Sequence, residues 1–297
     1  MNTNNRVEFK RPDYPDLTDR FTVVDMHFHS NYSDGIHSIG KIAKRVKELG
    51  IGIAVTDHNE IQGAVEIADY PDIFSIPGIE ITSREGSHLL VYFNDIDTLK
   101  QFYKDAVFPF MGSNVMSSLS LDMEEIILRA KAYSGVIIFP HPYCAAYTGI
   151  CNLRFPPKQL EQLLAQADGV EGINAGNLKK WNLKGAVLGF NLGKAITGGS
   201  DGHSINHMGK AVSYAICQKN PAAFLNAVKN CENKVVGKEI PLFGKMTTNS
   251  RKLKNNFSNY PDIFEKNVKY MAIIINSKSR SIKEGMKKRL YNKVVNH

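Results

Sequence analysis

The sequence predicts an α/β barrel, and three observations predict it. Seven short runs are nearly unbroken in apolar residues, helical patterns separate most of them, and ligand-type side chains gather where the runs end. Apolar continuity suits strands buried on both faces, as in parallel sheets and barrels. Strand and helix in repeated alternation point to the same class.

The strands, in order, are Val23–His29, Ile53–His58, Phe74–Ile81, His88–Phe93, Val136–Pro140, Val170–Asn174 and Ala195–Ser200. Ser38–Leu49 reads as a helix because Ile39, Ile42, Val46 and Leu49 recur on one face, and Gly50 stops it. A shorter helix spans Ile61–Ala68 and ends near Pro71. Leu121–Tyr133 opens on Asp122 with Glu125 three residues on, the spacing of a capping box. Pro157–Ala167 and Lys179–Leu188 supply two more helices. Segments 94–120 and 142–158 are longer than ordinary connections, and long loops at strand ends are where such folds keep substrate-binding parts. No internal repeat is present in the sequence.

Composition narrows the class. The 297 residues are 43% hydrophobic and 22% charged, which excludes a disordered chain, a collagen-like repeat and a small disulfide scaffold. No apolar run approaches the roughly 20 residues of a membrane span, and residues 1–16 lack the apolar core of a signal peptide. Cys144, Cys151, Cys217 and Cys231 form no C-x-x-C pair and read as reduced thiols, so a cytoplasmic location is expected. The net charge of +8 is unevenly spread: residues 245–297 hold 13 Lys and Arg against 3 Asp and Glu, and residues 1–244 hold 24 against 26. This divides the chain into an N-terminal extension (1–20), a main body (21–240) and a basic tail (241–297) with helical patterns near 261–275 and 279–294. A basic tail can follow a phosphate backbone, or it can be a solvated helical appendage.

The chemistry lies at the strand ends. Six of the nine histidines sit there, His27, His29, His58, His88, His141 and His203, together with Asp34, Asp57, Glu80 and Asp201. Residues i and i+2 of a strand share a face about 6.5–7 Å apart, so His27 and His29 can converge on one ion. Asp201 and His203 repeat that spacing after Gly198-Gly199, where the backbone can approach closely. Burying so many unpaired polar groups would be costly. Mixed imidazole and carboxylate donors suit Zn, Mn or Fe, with Mg less well matched, and nine donors exceed the needs of one ion. His37, His207 and His297 fall outside the pattern, although His207 lies close to the last motif.

These segments resemble a known family. Asp25-Met-His-Phe-His-Ser-Asn-Tyr-Ser-Asp-Gly, Val55-Thr-Asp-His-Asn, Gly78-Ile-Glu-Ile-Thr, Ser87-His-Leu-Leu-Val-Tyr, Phe139-Pro-His-Pro and Gly199-Ser-Asp-Gly-His match, in order, the motifs of the PHP (polymerase and histidinol phosphatase) family over residues 20–240. The resemblance implies a distorted seven-stranded (β/α) barrel and a two- or three-metal phosphoesterase site. It implies a first ion on His27, His29, Glu80 and Asp201, and a second on Glu80, His88 and His141. A third would lie among Asp34, His58 and His203. Many family members carry histidine where this chain has Asp34. The Ser-Asp-Gly form resembles the branch of small nucleotide phosphatases and nucleic-acid-trimming exonucleases. Asp57 is expected to orient a ligand or cap the turn.

The expected activity is hydrolysis of a small phosphomonoester or nucleotide by a metal-activated hydroxide, at two or three divalent ions. No G-x-S-x-G elbow or P-loop is present in the sequence. Arg84 and Arg154 are candidate phosphate contacts, and Tyr143 and Tyr147 could stack on a base. Two alternatives stand beside this reading: a nuclease that holds nucleic acid through residues 245–297, and a metal-binding module without catalysis.

Overall fold

The computed structural model describes residues 6–144, 148–152 and 155–241. Ten strands are present among these: β1 (Val7–Glu8), β2 (Thr22–Phe28), β3 (Gly52–Val55), β4 (Gly78–Thr82), β5 (His88–Tyr92), β6 (Val136–Phe139), β7 (Gly169–Asn174), β8 (Ala195–Gly199), β9 (Ala211–Ala215) and β10 (Lys234–Gly237). The helices are α1 (Tyr14–Arg20), α2 (Ile39–Leu49), α3 (Gln62–Ala68), α4 (Ile96–Phe102), α5 (Met123–Ala132), α6 (Pro157–Gln166), α7 (Lys179–Leu192) and α8 (Pro221–Lys229). No helix among the described residues is long and apolar enough to cross a membrane.

The α/β class holds, and the predicted strands correspond to β2–β8, but their pairing differs from a seven-stranded barrel. Two mixed five-stranded sheets form, in the orders β1-β10-β9-β2-β3 and β4-β5-β6-β7-β8, and no closed barrel is found among the described residues. The two sheets meet through isolated bridges, His58 with Glu80 and Ile53 with Ser75 on one side and Phe28 with Gly202 on the other. One physical reason is visible in the chain. Only Ser83–Ser87 joins β4 to β5, too short for a parallel crossover, so the two pair antiparallel. The predicted strand from Phe74 also begins late. Pro77 lacks the N–H a ladder needs, and Ser75 makes only its isolated bridge.

Six elements lie where no strand or helix was expected: β1, α1, α4, β9, α8 and β10. β9 and β10 extend the first sheet beyond β2, and β1 pairs parallel with β10. In the long 94–120 segment, Asp95 accepts the Thr98 N–H at 2.7 Å and so starts α4. The other helices follow their signals. Gly50 ends α2 in the left-handed conformation at φ 68°. The Asp122–Glu125 capping box is complete, with the Glu125 N–H on Asp122 at 2.9 Å and the Asp122 N–H on Glu125 at 2.8 Å. α7 runs past Leu188 to Leu192, where Gly193 stops it at φ 62°.

The core binds the two sheets. Met26 of β2, Leu90 of β5 and Ile138 of β6 pack together with Tyr92 and Phe224 beneath the strand ends. Fully burying each large apolar side chain stabilises the fold by roughly 1.5–3 kcal/mol. The Tyr92 hydroxyl donates to the Met26 carbonyl at 2.5 Å, a bond between the sheets. Gly199 matters here for close approach: a Cβ on it would collide with His27. β8 thereby lies against β2 and carries Asp201 and His203 to the histidines of β2. The predicted helices near 261–275 and 279–294 lie outside the described residues.

Candidate metal centre

The nine predicted donors are brought to one place, and Glu80 of β4 is at its middle. One carboxylate oxygen, Oε2, lies 3.3 Å from His27 Nε2, 3.4 Å from His29 Nε2 and 3.2 Å from His58 Nδ1. The other, Oε1, lies 2.9 Å from His88 Nδ1 and 3.3 Å from His141 Nε2. A single side chain, 1% exposed, therefore faces five imidazoles. Asp201 adds a second carboxylate, 3.2 Å from His29 Nε2 and 3.6 Å from His27 Nε2.

A second cluster adjoins the first. Asp34 lies 3.0 Å from His203 Nε2 and 3.8 Å from both His29 Nδ1 and His58 Nε2. His29 stacks between His58 and His203, with ring centroids 4.7 and 4.5 Å away. His29 and His58 thus turn one ring nitrogen to each cluster. Among the described residues, three sets of donor atoms lie close enough to hold an ion: His29, Asp34, His58 and His203; His27, His29 and Asp201; and His58, Glu80 and His88.

The donor chemistry fits metal. His27 Nε2 and His29 Nε2 face each other at 3.1 Å, where one proton satisfies both only by occupying the space between the carboxylates. Burial would raise the carboxyls of Glu80 and Asp201, but the surrounding imidazoles outweigh it and hold both well below the carboxylate range. Burial dominates at His58, pushed down to about 3, and lowers His88 as well, so both present neutral rings. At His27 burial is outweighed by Glu80, Asp201 and Glu171, and its ring is held well above the ordinary histidine range. Anionic oxygens thus gather cations here, protons when nothing else is bound.

Backbone geometry supports the arrangement at a cost. His141 and Asp201 adopt positive φ values of 29° and 47°, a conformation that costs an ordinary L-residue roughly 1–2 kcal/mol. Such strain gathers at functional sites. Asp57 caps the turn after β2: it accepts the Ser30 N–H at 2.8 Å and the Ser30 and Ser33 hydroxyls at 2.5 Å each. The loop that presents Asp34 is thereby held.

Arg84 forms an ion pair with Asp122 at 3.1 Å, at the start of α5, with its side chain 61% exposed. Arg154 and Tyr147 lie outside the described residues. Tyr143 is described: its carbonyl accepts the Asn177 amide at 2.7 Å, and its ring faces the Lys184 ammonium at 5.5 Å. The side chains of His88, His203 and Asp201 are 14%, 15% and 21% exposed, against 0–8% for the other six donors, so the open side lies there.

Three supporting residues escaped the sequence reading. Glu171, inside β7, lies 3.2 Å from His27 Nδ1 and accepts the His141 N–H at 2.9 Å. Its signal was a carboxylate within the apolar run Val170–Asn174. Asp25 accepts the N–H groups of Ser200 and Gly209, each at 2.8 Å, and fastens the loop after β8 to β2. Asn59 accepts the Thr82 N–H at 2.9 Å and donates to the Val115 and Ser117 carbonyls, both at 2.8 Å. It ties the long 94–120 segment to the site.

Comparison with known proteins follows the same residues. Residues 25–136 match the model of the PHP domain family. His27, His29, Asp34, His58, Glu80 and His88 lie inside that segment, and His141, Asp201 and His203 lie beyond it. A protein of Methanocaldococcus jannaschii, MJ1587, is 28% identical over 188 residues, 58% of this chain and 91% of that protein. A two-domain protein from Bacteroides vulgatus, described as containing a predicted PHP-like metal-dependent phosphoesterase, superposes with a TM-score of 0.55 at 16% identity, over 80% of this chain and 70% of its own. The lesion-specific endonuclease PfuEndoQ from Pyrococcus furiosus superposes with a TM-score of 0.57 at 18% identity, over 72% of this chain and 57% of its own. At these identities the two superpositions establish a shared fold.

Proposed function

Starting from the PHP-domain segment at residues 25–136, we propose that the chain hydrolyses phosphate esters at a centre of two or three divalent ions, acting on a small phosphomonoester or a nucleotide. The observation that carries this is Glu80, a buried carboxylate with five imidazoles within 3.4 Å, beside the separate Asp34–His203 pair. In this reading His27, His29, Glu80 and Asp201 hold one ion, and His88 and His141 share Glu80 for a second. Asp34, His58 and His203 hold the third. Mn, Zn and Fe match such a donor set.

Bound ions would supply Lewis acidity, making hydroxide available near neutral pH and offsetting phosphate charge. The protein's own part is to hold donors in place and exclude bulk water. His27, His29 and Glu80 sit at 0–1% side-chain exposure, so their charges act in a low-dielectric surround. Substrate would enter past His88, Asp201 and His203. Arg84, and Arg154 in segment 142–158, are the cationic side chains to which a phosphate contact is assigned.

The test is elemental analysis of full-length protein, run with hydrolysis of p-nitrophenyl phosphate and bis(p-nitrophenyl) phosphate in added Mn. Two or three ions per chain with monoester turnover supports the proposal. No metal after reconstitution overturns it.

A nuclease is the second reading, and the charge of residues 245–297 favours it, 13 basic residues against 3 acidic. The fold shared with a lesion-specific endonuclease is compatible with it. It requires diester or oligonucleotide cleavage and binding that falls steeply with salt. Deleting the tail without loss of nucleic-acid affinity would rule out that role for the segment. Bound metal with turnover of neither ester class would mark a non-catalytic metal-binding module.

A further inference from the structure

The donors of the centre leave unexplained why β7, which contributes none of them, buries a glutamate and an asparagine beneath it. Glu171 is 2% exposed and Asn174 is 1% exposed. Residues three apart on a regular strand point to opposite faces, yet these two touch, with the Asn174 amide donating to Glu171 Oε2 at 2.8 Å. The register explains it. Glu171 pairs with Thr197 and Ile173 with Gly198, two steps along β7 for one along β8. That is a bulge at Gly172, and a bulge re-aims the side chains after it. A Cβ at Gly172 would collide with the Ile196 side chain, so glycine is what the bulge admits.

Every carboxylate oxygen of Glu171 has a donor. Oε2 accepts the Asn174 amide and the His141 N–H at 2.9 Å, which holds His141 in its strained conformation. Oε1 lies 3.2 Å from His27 Nδ1. An ionised carboxylate is acceptor-only, so the proton of His27 belongs on Nδ1. The nitrogen left for an ion is Nε2, which faces Glu80, Asp201 and His29 at 3.3, 3.6 and 3.1 Å. The Asn174 amide also reaches Asp201 Oδ2 at 3.2 Å. One pair on β7 therefore touches His27, Asp201 and the His141 backbone.

We infer that Glu171 and Asn174 are positioning residues, brought to one face by the Gly172 bulge, which fix the tautomer of His27 and the orientation of Asp201 for a metal ion. The inference rests on the proposed metal centre. It makes a sharp demand on chemistry, because glutamine has one acceptor oxygen where the site needs two. If its oxygen serves Asn174 and His141, its NH2 faces His27 Nδ1. That drives the His27 proton to Nε2, onto the position an ion requires.

The experiment is calorimetric titration of Mn into metal-stripped, full-length protein, for the wild type and for Glu171→Gln, Asn174→Ala and Thr197→Val. Thr197 pairs with Glu171 across the strands, and its buried hydroxyl makes no hydrogen bond among the described residues. Glu171→Gln is expected to weaken the tightest site about 10- to 100-fold, the range for groups that support metal-bound histidine. Asn174→Ala should weaken it by less, and Thr197→Val should leave it unchanged. Nitrogen NMR of histidine-labelled, Zn-loaded protein supplies a second readout. His27 should carry its proton on Nδ1 in the wild type, and Glu171→Gln should abolish that signature.

Wild-type affinity and unchanged His27 signals in Glu171→Gln overturn the inference and leave the metal centre standing. Equal weakening by Thr197→Val overturns it too, as a general response to disturbing β7. If Glu171→Gln does not fold, Glu171→Asp and Asn174→Ala decide, and wild-type affinity in both overturns it. A wild type that binds no ion overturns the metal centre instead.

Discussion

The two clusters that meet at His29 and His58 are built differently. Around Glu80 the donors sit on strands or immediately after them, His27 in β2, Glu80 in β4 and His88 in β5. They are braced from below by Glu171 and Asn174. Around Asp34 the donors sit on loops. Asp34 lies six residues beyond β2, in a turn that Asp57 caps, and His203 follows β8 by four residues. Strand-borne groups are held more precisely than loop-borne ones. The inner cluster should therefore bind its ions tightly and keep them, and the outer cluster should exchange its ion and respond to substrate.

The largest effect that would test this contrast is at Glu80. Glu80→Gln keeps volume but removes the charge all five imidazoles face. Turnover of p-nitrophenyl phosphate should fall by at least about a thousandfold, near 4 kcal/mol of barrier, and elemental analysis should show the inner ions lost. Retention of full metal content would break the comparison, because Glu80 would then not organise the inner cluster. His203→Ala should act more narrowly. One ion is lost, the inner ions stay, and turnover drops about a hundredfold, near 2.7 kcal/mol. Loss of all metal in that variant would mean that the two clusters assemble as one.

Acidity separates the clusters by a smaller factor. His27 is held above the ordinary histidine range by Glu80, Asp201 and Glu171, against the opposing effect of burial. Its proton must leave before an ion occupies Nε2. Inner-site affinity should therefore fall as pH is lowered below that raised value, about tenfold per unit for each displaced proton. Glu80 and Asp201, held low, add no further competing proton across that window. His58, with its value pushed down to about 3, is already neutral there. His29 and His141 are raised as well, so their protons add to the slope. Titrating Mn at a series of pH values in wild type and His203→Ala isolates it, and a flat profile would contradict the assignment of these histidines.

The clustering of these side chains was legible in the sequence because each is a histidine or carboxylate at the end of an apolar run or a few residues past it. Chemistry and periodicity pointed to the same positions. The support was harder to read. Glu171 and Asn174 share a face only because Gly172 inserts a bulge, where strict alternation would place them on opposite faces. The sheet pairing was also obscure. Apolar continuity marks a strand as buried but says nothing about its direction, so the antiparallel β4–β5 hairpin and the β9–β10 extension emerged only with the structure. Asp95 was likewise concealed within a segment read as loop, although its cap on Thr98 begins α4.

The smallest effect is the control that gives the others meaning. Asp122 caps α5 and pairs with Arg84, which lies in the turn between β4 and β5. Asp122→Ala removes the Glu125 N–H acceptor, which should destabilise the fold by about 1 kcal/mol and lower Tm by about 2–4 °C. Because the change lies in a helix cap and not among the donors, metal content and the pH slope of binding should stay at wild-type values. A comparable loss of Tm from Asp57→Asn should behave otherwise. Asp57 holds the turn before Asp34, so that variant should release the outer ion along with stability. If both variants shed metal equally, binding would be tracking global stability, and the distinction between strand-held and loop-held clusters would fail.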